Sequence, residues 1–324
     1  MAQLRGSADL AALIPTVSDA LSIPEAYVEK DFWATEALRA LTEYADGAGA
    51  PAIFKGGTSL SKAWKLTERF SEDIDIVLDF PDDMSKGQRE RLLKGVADAV
   101  DAHLGLGAGA YRSANQTRAV ARNVFVTYPI LHPAASLEVK PEVLLEIGSR
   151  GAPTPNESVS ILSFAAEYLV GQGLTPADFD ELTPVQSHVL VTERTLIEKV
   201  ALLANRDARY RAGESTAFEG LGRHLYDVHA LLNDSDTKEN IALLGDDGIR
   251  AVATDVHDRS IAANWSSVAR PDEGWIAAAD CFTSGSASSD ALAAAYARAA
   301  PMIYGDAPTF AACVEVVGSY TDVI

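Results

Sequence analysis

Apolar positions recur at helical spacing from Leu10 to about Tyr44, where Pro24, after Ser22 and Ile23, reads as a first-turn proline and Glu25 to Leu41 is rich in helix formers. Ala52 to Phe54 is a short apolar stretch that runs directly into Gly56-Gly57, a strand giving way to a loop. Thr58 to Leu66 follows with a short helical pattern. From Asp73 to Phe80 charged and apolar residues alternate with the period of a strand. That alternation turns Asp73, Asp75 and Val77 to one face and Ile74, Ile76 and Leu78 to the other, so two carboxylates stand side by side away from the more apolar side. Ser85 to Leu104 is helical again and ends in a Gly-rich loop at Gly105 to Gly109. Ala119 to Tyr128 and Leu137 to Ile147 are predicted strands, with Pro141 implying a bulge or an edge position in the second.

The stretch Gly151 to Asn156, with Pro153 and Pro155, is the best linker candidate, and beyond it the pattern is mostly helical through Tyr304. The expected organisation is therefore two domains, residues 1–155 and 156–324. The fold class is α+β, a small mixed sheet followed by a mainly helical domain. A chain of 324 residues with 48% hydrophobic content has enough apolar surface to build such a core.

Charge narrows the choice of partner. With Asp plus Glu at 46 and Lys plus Arg at 27, the net charge of −19 has the wrong sign for non-specific attachment to nucleic acid or to an anionic membrane. A metal ion and a local Arg cluster can still reverse the potential within one cleft. The clusters available are Arg112, Arg118 and Arg122, and Arg206, Arg209 and Arg211, for which solvated surface is the default explanation. Cys281 and Cys313 lack metal-ligand spacing, which points to neither a disulfide framework nor a zinc site and fits a reducing cytoplasm. The opening residues lack the apolar core of a signal peptide, and no apolar run approaches the roughly 20 residues that span a bilayer. The expectation is a soluble, cytoplasmic protein with no membrane partner.

The Asp73-Ile74-Asp75 strand and the loop before it carry the chemistry. Transfer of a nucleotidyl group uses two divalent ions, held by carboxylates, that clamp the attacking and leaving oxygens. Magnesium takes hard oxygen ligands, and two aspartates on one strand face supply them. Glu146, within Val143 to Gly148, is the candidate for a third ligand from a neighbouring strand. Lys55-Gly56-Gly57-Thr58-Ser59 offers backbone amides free of side-chain obstruction where a helix begins, which suits triphosphate oxygens, and Thr58 and Ser59 add hydroxyl donors.

Two later segments have a bland and a functional reading. Lys199 falls beside the stripe of Leu196, Val200 and Leu203, either as a lysine whose stem covers apolar surface or as a partly desolvated point charge for phosphate. Asp227, four residues after Arg223, reads from position alone as an exposed helix ion pair. His224, three residues before Asp227, could contact an acceptor, whereas His188 and His229 read as packing or surface residues. Arg69 has two readings of similar weight, contact with the triphosphate or orientation of Asp73 and Asp75. Ser71 could cap the strand entrance, or act as a control point where a phosphate would repel nucleotide.

Phe54 to Ser61 followed by Arg69-Phe-Ser-Glu-Asp-Ile-Asp75 resembles the first signature of the AbiEii-type nucleotidyltransferase toxins, a branch of the polymerase-beta-like superfamily that includes the mycobacterial MenT toxins. Glu193 to Lys199 is similar to that family's helix with an essential lysine, and Arg223-His-Leu-Tyr-Asp227 to its Arg-x-x-Tyr-Asp segment. The resemblance covers roughly residues 20 to 235. It implies a polymerase-beta-like core and places Asp73 and Asp75 on metal, Lys199 on the nucleotide phosphates, and Asp227 at the acceptor hydroxyl. It further implies transfer of an NMP from an NTP with release of pyrophosphate, an acceptor such as the 3′ end of transfer RNA, and a cognate antitoxin. A protein hydroxyl remains open as acceptor. So do a small-molecule transferase of the aminoglycoside-modifying kind, whose cationic acceptor an acidic surface would suit, and a non-catalytic nucleotide-binding module.

Overall fold

The computed structural model describes residues 2–71, 73–107, 109–133, 140 and 142–324. The chain divides into two compact units, one built from residues 1–63 and 70–190 and the other from residues 64–69 and 191–324.

The first unit contains α1 (Ala8–Leu21), α2 (Glu25–Gly47), β1 (Ala52–Lys55), α3 (Gly56–Lys62), β2 (Asp73–Leu78), α4 (Lys86–Leu104), β3 (Tyr111–Thr117), β4 (Ala121–Thr127), β5 (Glu142–Gly148), β6 (Asn156–Ile161), α5 (Phe164–Gly171) and β7 (Val185–Leu190). The helical stretch expected from Leu10 to Tyr44 is two helices that meet near Pro24. Ser22 takes a left-handed conformation at the end of α1, and Pro24, which cannot donate a backbone hydrogen bond, caps α2 instead of entering its first turn. The strands form one mixed sheet in the order β3-β4-β5-β2-β1-β7-β6.

The Gly151 to Asn156 stretch leads into β6, which pairs with β7 at the far edge of this sheet, so the first unit runs on to Leu190. In sequence the stretch resembles a linker because its prolines and glycine hide a short strand that pairs only with residues some thirty positions later. The strand β3 leaves no apolar alternation in sequence, since Tyr111 to Thr117 are largely polar and exposed at the sheet edge. The expected strand from Leu137 covers β5 only from Glu142; residues 137–139 and Pro141 lie outside the described residues.

One face of the sheet is packed: Ile74, Ile76, Leu78, Val124, Val126, Val143, Leu145 and Ile147 alternate along their strands and are all buried. The helix α2 lies against β1, β2, β5 and β7 and packs on α4. Because it is covered on nearly all sides, its charged residues have to be neutralised in place. Asp31 pairs with Lys62 at 2.6 Å, Glu36 with Arg39 at 3.1 Å and Arg5 at 3.3 Å, and Glu29 accepts the amides of Leu131 and His132 at 2.9 and 3.0 Å.

The second unit is helical, as expected for the C-terminal half: α6 (Thr192–Arg211), α7 (Gly222–Asn233), α8 (Ser235–Ala262, kinked at Gly245), α9 (Trp275–Ala278), α10 (Ala287–Ala299) and α11 (Phe310–Gly318). No described helix is long and apolar enough to cross a membrane.

Candidate active site

In the first unit the sheet register places polar side chains in rows across part of the opposite face, beside the buried Ile53 and Val77. Ala114, Asn123, Glu146, Asp75 and Lys55 are successive partners from β3 to β1, and Arg112, Phe125, Leu144 and Asp73 form the next row from β3 to β2. Directly paired residues share a face, so the carboxylates of Asp73, Asp75 and Glu146 stand together on it, as the strand alternation implies. Burial agrees: Asp73 and Asp75 are half-buried and Glu146 is exposed, between buried neighbours on either side.

The Gly-Gly loop reaches the same point. Gly56 has φ +79, and a Cβ there would sit 2.0 Å from Oδ2 of Asp75, so only glycine lets the backbone approach the carboxylate. The hydroxyls that sequence reading offered to phosphate are committed elsewhere. The Thr58 hydroxyl donates to the Asp73 carbonyl, and Ser59, fully buried, donates to the Gly56 carbonyl at 2.9 Å. Thr58 fastens the loop to β2 and Ser59 closes the loop on itself, which leaves the backbone amides of Gly56 and Gly57 as the groups suited to a ligand.

Partial desolvation and the charges of Asp75 and Asp73 push the Glu146 carboxyl up to about 7, and it is hydrogen-bonded to Asp75. Asn123 Nδ2 donates to Glu146 Oε1 at 3.1 Å, an orienting contact that sequence reading did not find. The signal was there as a polar residue at an alternate position between Arg122 and Val124, but its meaning depends on which strand lies beside it. Among the described residues no group of three or more His, Cys, Asp or Glu side chains is gathered as a ready metal cluster. The donor chemistry nonetheless fits a hard divalent cation: three carboxylates on one face, with the proton affinity of one raised by the others, as a cation would relieve.

The second unit assembles a different cluster. Asp227 on α7 is fully buried and accepts from Arg69 Nε at 2.6 Å, Arg69 Nη2 at 2.7 Å and Lys199 Nζ at 2.7 Å. Burial alone would raise its proton affinity, but the charges of Arg69 and Lys199 outweigh this and hold the carboxyl well below its usual range. The surface pair with Arg223 that position alone suggests gives way to this buried one. Arg69, read from sequence as touching triphosphate or orienting the β2 carboxylates, makes a two-pronged contact with Asp227. Lys199 is buried, as its place beside the α6 stripe implies, and its ammonium lies 3.4 Å from His224 Nδ1. An ammonium only donates, so Nδ1 is the acceptor and the imidazole proton sits on Nε2. Burial and the Lys199 charge lower the His224 pKa well below its ordinary value, leaving a neutral ring at pH 7.

Residues 236 to 324, for which the sequence offered no role, meet the segment that carries Arg69 at Ile303 and Tyr304, and Tyr226 of α7 meets it too. The amide of Glu68 donates to the Tyr226 hydroxyl at 3.1 Å, the Glu68 carbonyl accepts from Tyr304 at 2.9 Å, and Arg69 bridges Ile303. Gly222 opens α7 against α10 so closely that a Cβ there would lie 2.2 Å from the Ala295 carbonyl oxygen. Both Cys281 and Cys313 are free and buried.

Comparison with known proteins agrees with this architecture. Among solved structures, MenT4, a nucleotidyltransferase toxin from Mycobacterium tuberculosis H37Rv, is similar with a TM-score of 0.51 at 16% identity, over 95% of this chain and 98% of that one. A search of curated proteins finds no match. The family model described as nucleotidyl transferase AbiEii toxin, type IV TA system, matches residues 39–316. That span takes in the Gly56 loop, the three carboxylates, Lys199, Asp227 and most of the C-terminal helices, and the chain belongs to the AbiEii nucleotidyltransferase toxin family of type IV toxin–antitoxin systems.

Proposed function

We propose that this nucleotidyltransferase moves an NMP from an NTP to an acceptor hydroxyl, using two magnesium ions held by Asp73, Asp75 and Glu146. The observation that carries the reading is the register that sets Asp75 beside Glu146 on one side and the Gly56 backbone on the other. The acceptor in this proposal is an RNA 3′ end, that of transfer RNA, modified in the cytoplasm of a cell that also makes the antitoxin.

The ions would supply charge neutralisation on the triphosphate and polarisation of the attacking hydroxyl. The chain's own contribution is placement. The amides of Gly56 and Gly57 receive phosphate oxygens, Lys199 adds a fixed positive charge, and Asn123 orients Glu146. Asp227 is a positioning residue: a fully buried carboxylate bonded to two cations is too weak a base to take a hydroxyl proton. What it does is hold the Lys199 ammonium in place and charged. Along the chain, Arg69, bonded to Asp227, precedes Asp73 by four residues.

The test is to incubate the purified protein with magnesium and each labelled triphosphate, offering total transfer RNA, cell protein or an aminoglycoside in turn. Label is expected in RNA, to vanish with EDTA and in Asp75→Ala. Transfer undiminished in Asp75→Ala refutes the metal site. Label confined to protein or aminoglycoside refutes the acceptor.

A further inference from the structure

An in-line displacement fixes the side from which the acceptor must come. The attacking and leaving oxygens lie on opposite sides of the transferred phosphorus. With the pyrophosphate on the loop after β1, the hydroxyl approaches across Glu146, and the sheet order continues from there through β4 to β3. The side chains that follow Glu146 on the same face are Asn123, Phe125 and Arg112.

Phe125 is half-buried and stands diagonally one pair along from Glu146. The Arg112 guanidinium lies 3.8 Å from the centroid of its ring, 57% of that arginine's side chain is exposed, and Nη2 is held at 3.2 Å by Glu142. The result is a flat, positively charged plate on an otherwise acidic protein. It stands two strand spacings, about 10 Å, from Asp73, a separation a single nucleoside bridges. Aromatic rings and guanidinium planes are the surfaces on which unpaired bases stack.

We propose that Phe125 and the Arg112 guanidinium stacked on it seat the terminal base of a nucleic-acid acceptor and so aim its 3′ hydroxyl at the carboxylates. The proposal rests on the transfer reaction proposed above, but binding tests it without turnover. The probe is a 5′-fluorescein RNA hairpin with a single-stranded 3′ end of four nucleotides, measured by anisotropy on the full chain. A second probe is identical except for an abasic terminal nucleotide.

Phe125→Leu is expected to weaken the intact probe about 5- to 150-fold, the usual range for losing one base stack, with Phe125→Trp close to wild type. The abasic probe should show the same loss on wild type and little further loss on Phe125→Leu. Independent losses that multiply overturn the shelf, as does an intact probe that binds Phe125→Leu and wild type alike. Wild type that binds both probes equally, or binds neither, overturns it without reliance on any variant. The Asp75→Ala transfer assay fails or succeeds separately, so loss of the shelf and loss of the metal-site reading are distinguishable.

Discussion

Replacing Asp227 by Asn keeps the side-chain shape and removes the carboxylate that bonds Arg69 and Lys199. Their side chains are only 2% and 7% exposed, so solvent screening is slight. Breaking a buried pair by deleting one partner costs about 3–5 kcal/mol, against a total stability of roughly 5–15 kcal/mol for a typical fold. Three of the four tryptophans, Trp64, Trp265 and Trp275, belong to the second unit, so urea unfolding followed by fluorescence reports mainly on it. Adding Arg69→Met to Asp227→Asn should cost less than the sum of the single changes, with a coupling of about 1–3 kcal/mol. The pH dependence has a definite sign. The folded pKa of Asp227 lies below its unfolded value of about 3.9, so its stabilisation is complete above that pH and is lost as pH falls through the folded value. The gap between wild type and Asp227→Asn should stay flat from about pH 5 to 8 and shrink below about pH 4. A midpoint within about 0.5 kcal/mol of wild type, additive losses in the double variant, or a gap that widens in acid would refute the buried triad.

Gly56→Ala combines a left-handed backbone with a Cβ 2.0 Å from the Asp75 carboxylate. Transfer should fall by about a hundredfold while stability drops by only about 1–2 kcal/mol, and near-normal turnover would mean that Asp75 does not need its present position. Gly222→Ala drives a methyl into the Ala295 backbone and should lower stability by about 1–3 kcal/mol in thermal unfolding; an unchanged melting temperature would show that α10 yields freely. At His224, Asn places an oxygen near Nδ1 and Gln places one near Nε2. Asn should preserve the kcat and its pH profile while Gln lowers kcat up to about tenfold, and the reverse order would remove the Lys199 contact from the mechanism.

The first-unit site was legible because it is built from local pattern. Alternation alone set Asp73 and Asp75 on one face, and glycines in sequence marked the loop that meets them. Glu146 could be nominated but not placed, since its pairing with Asp75 is a parallel register between strands separated by α4, β3 and β4. The second cluster was legible only through resemblance. Nothing local tells Arg69 that its partner is Asp227, 158 positions away, and the nearer Arg223 offered a plausible wrong answer. Thr58 and Ser59 show the opposite failure. Their hydroxyls suit phosphate in any sequence, yet a loop that packs its glycine against a carboxylate uses one of them to fasten itself to β2 and the other to hold its own turn.

Acidity argued against a polyanionic acceptor, and the structure turns that objection into a measurable expectation. Much of the arginine charge is neutralised within the chain: Arg122 by Glu90, Arg209 by Glu214, Arg211 by Asp207, and Arg112 in part by Glu142. Little of it can release counterions from a nucleic acid. If the end of an RNA is held mainly by a stacked base and one or two phosphate contacts, the affinity should fall with salt at a log–log slope of only about −0.7 to −1.4. Raising potassium chloride from about 50 to 200 mM should then weaken the hairpin probe roughly 3- to 7-fold, where a protein relying on a basic surface would lose several hundredfold or more. A slope steeper than about −3 would place the binding energy in phosphate contacts that the Phe125 shelf does not provide.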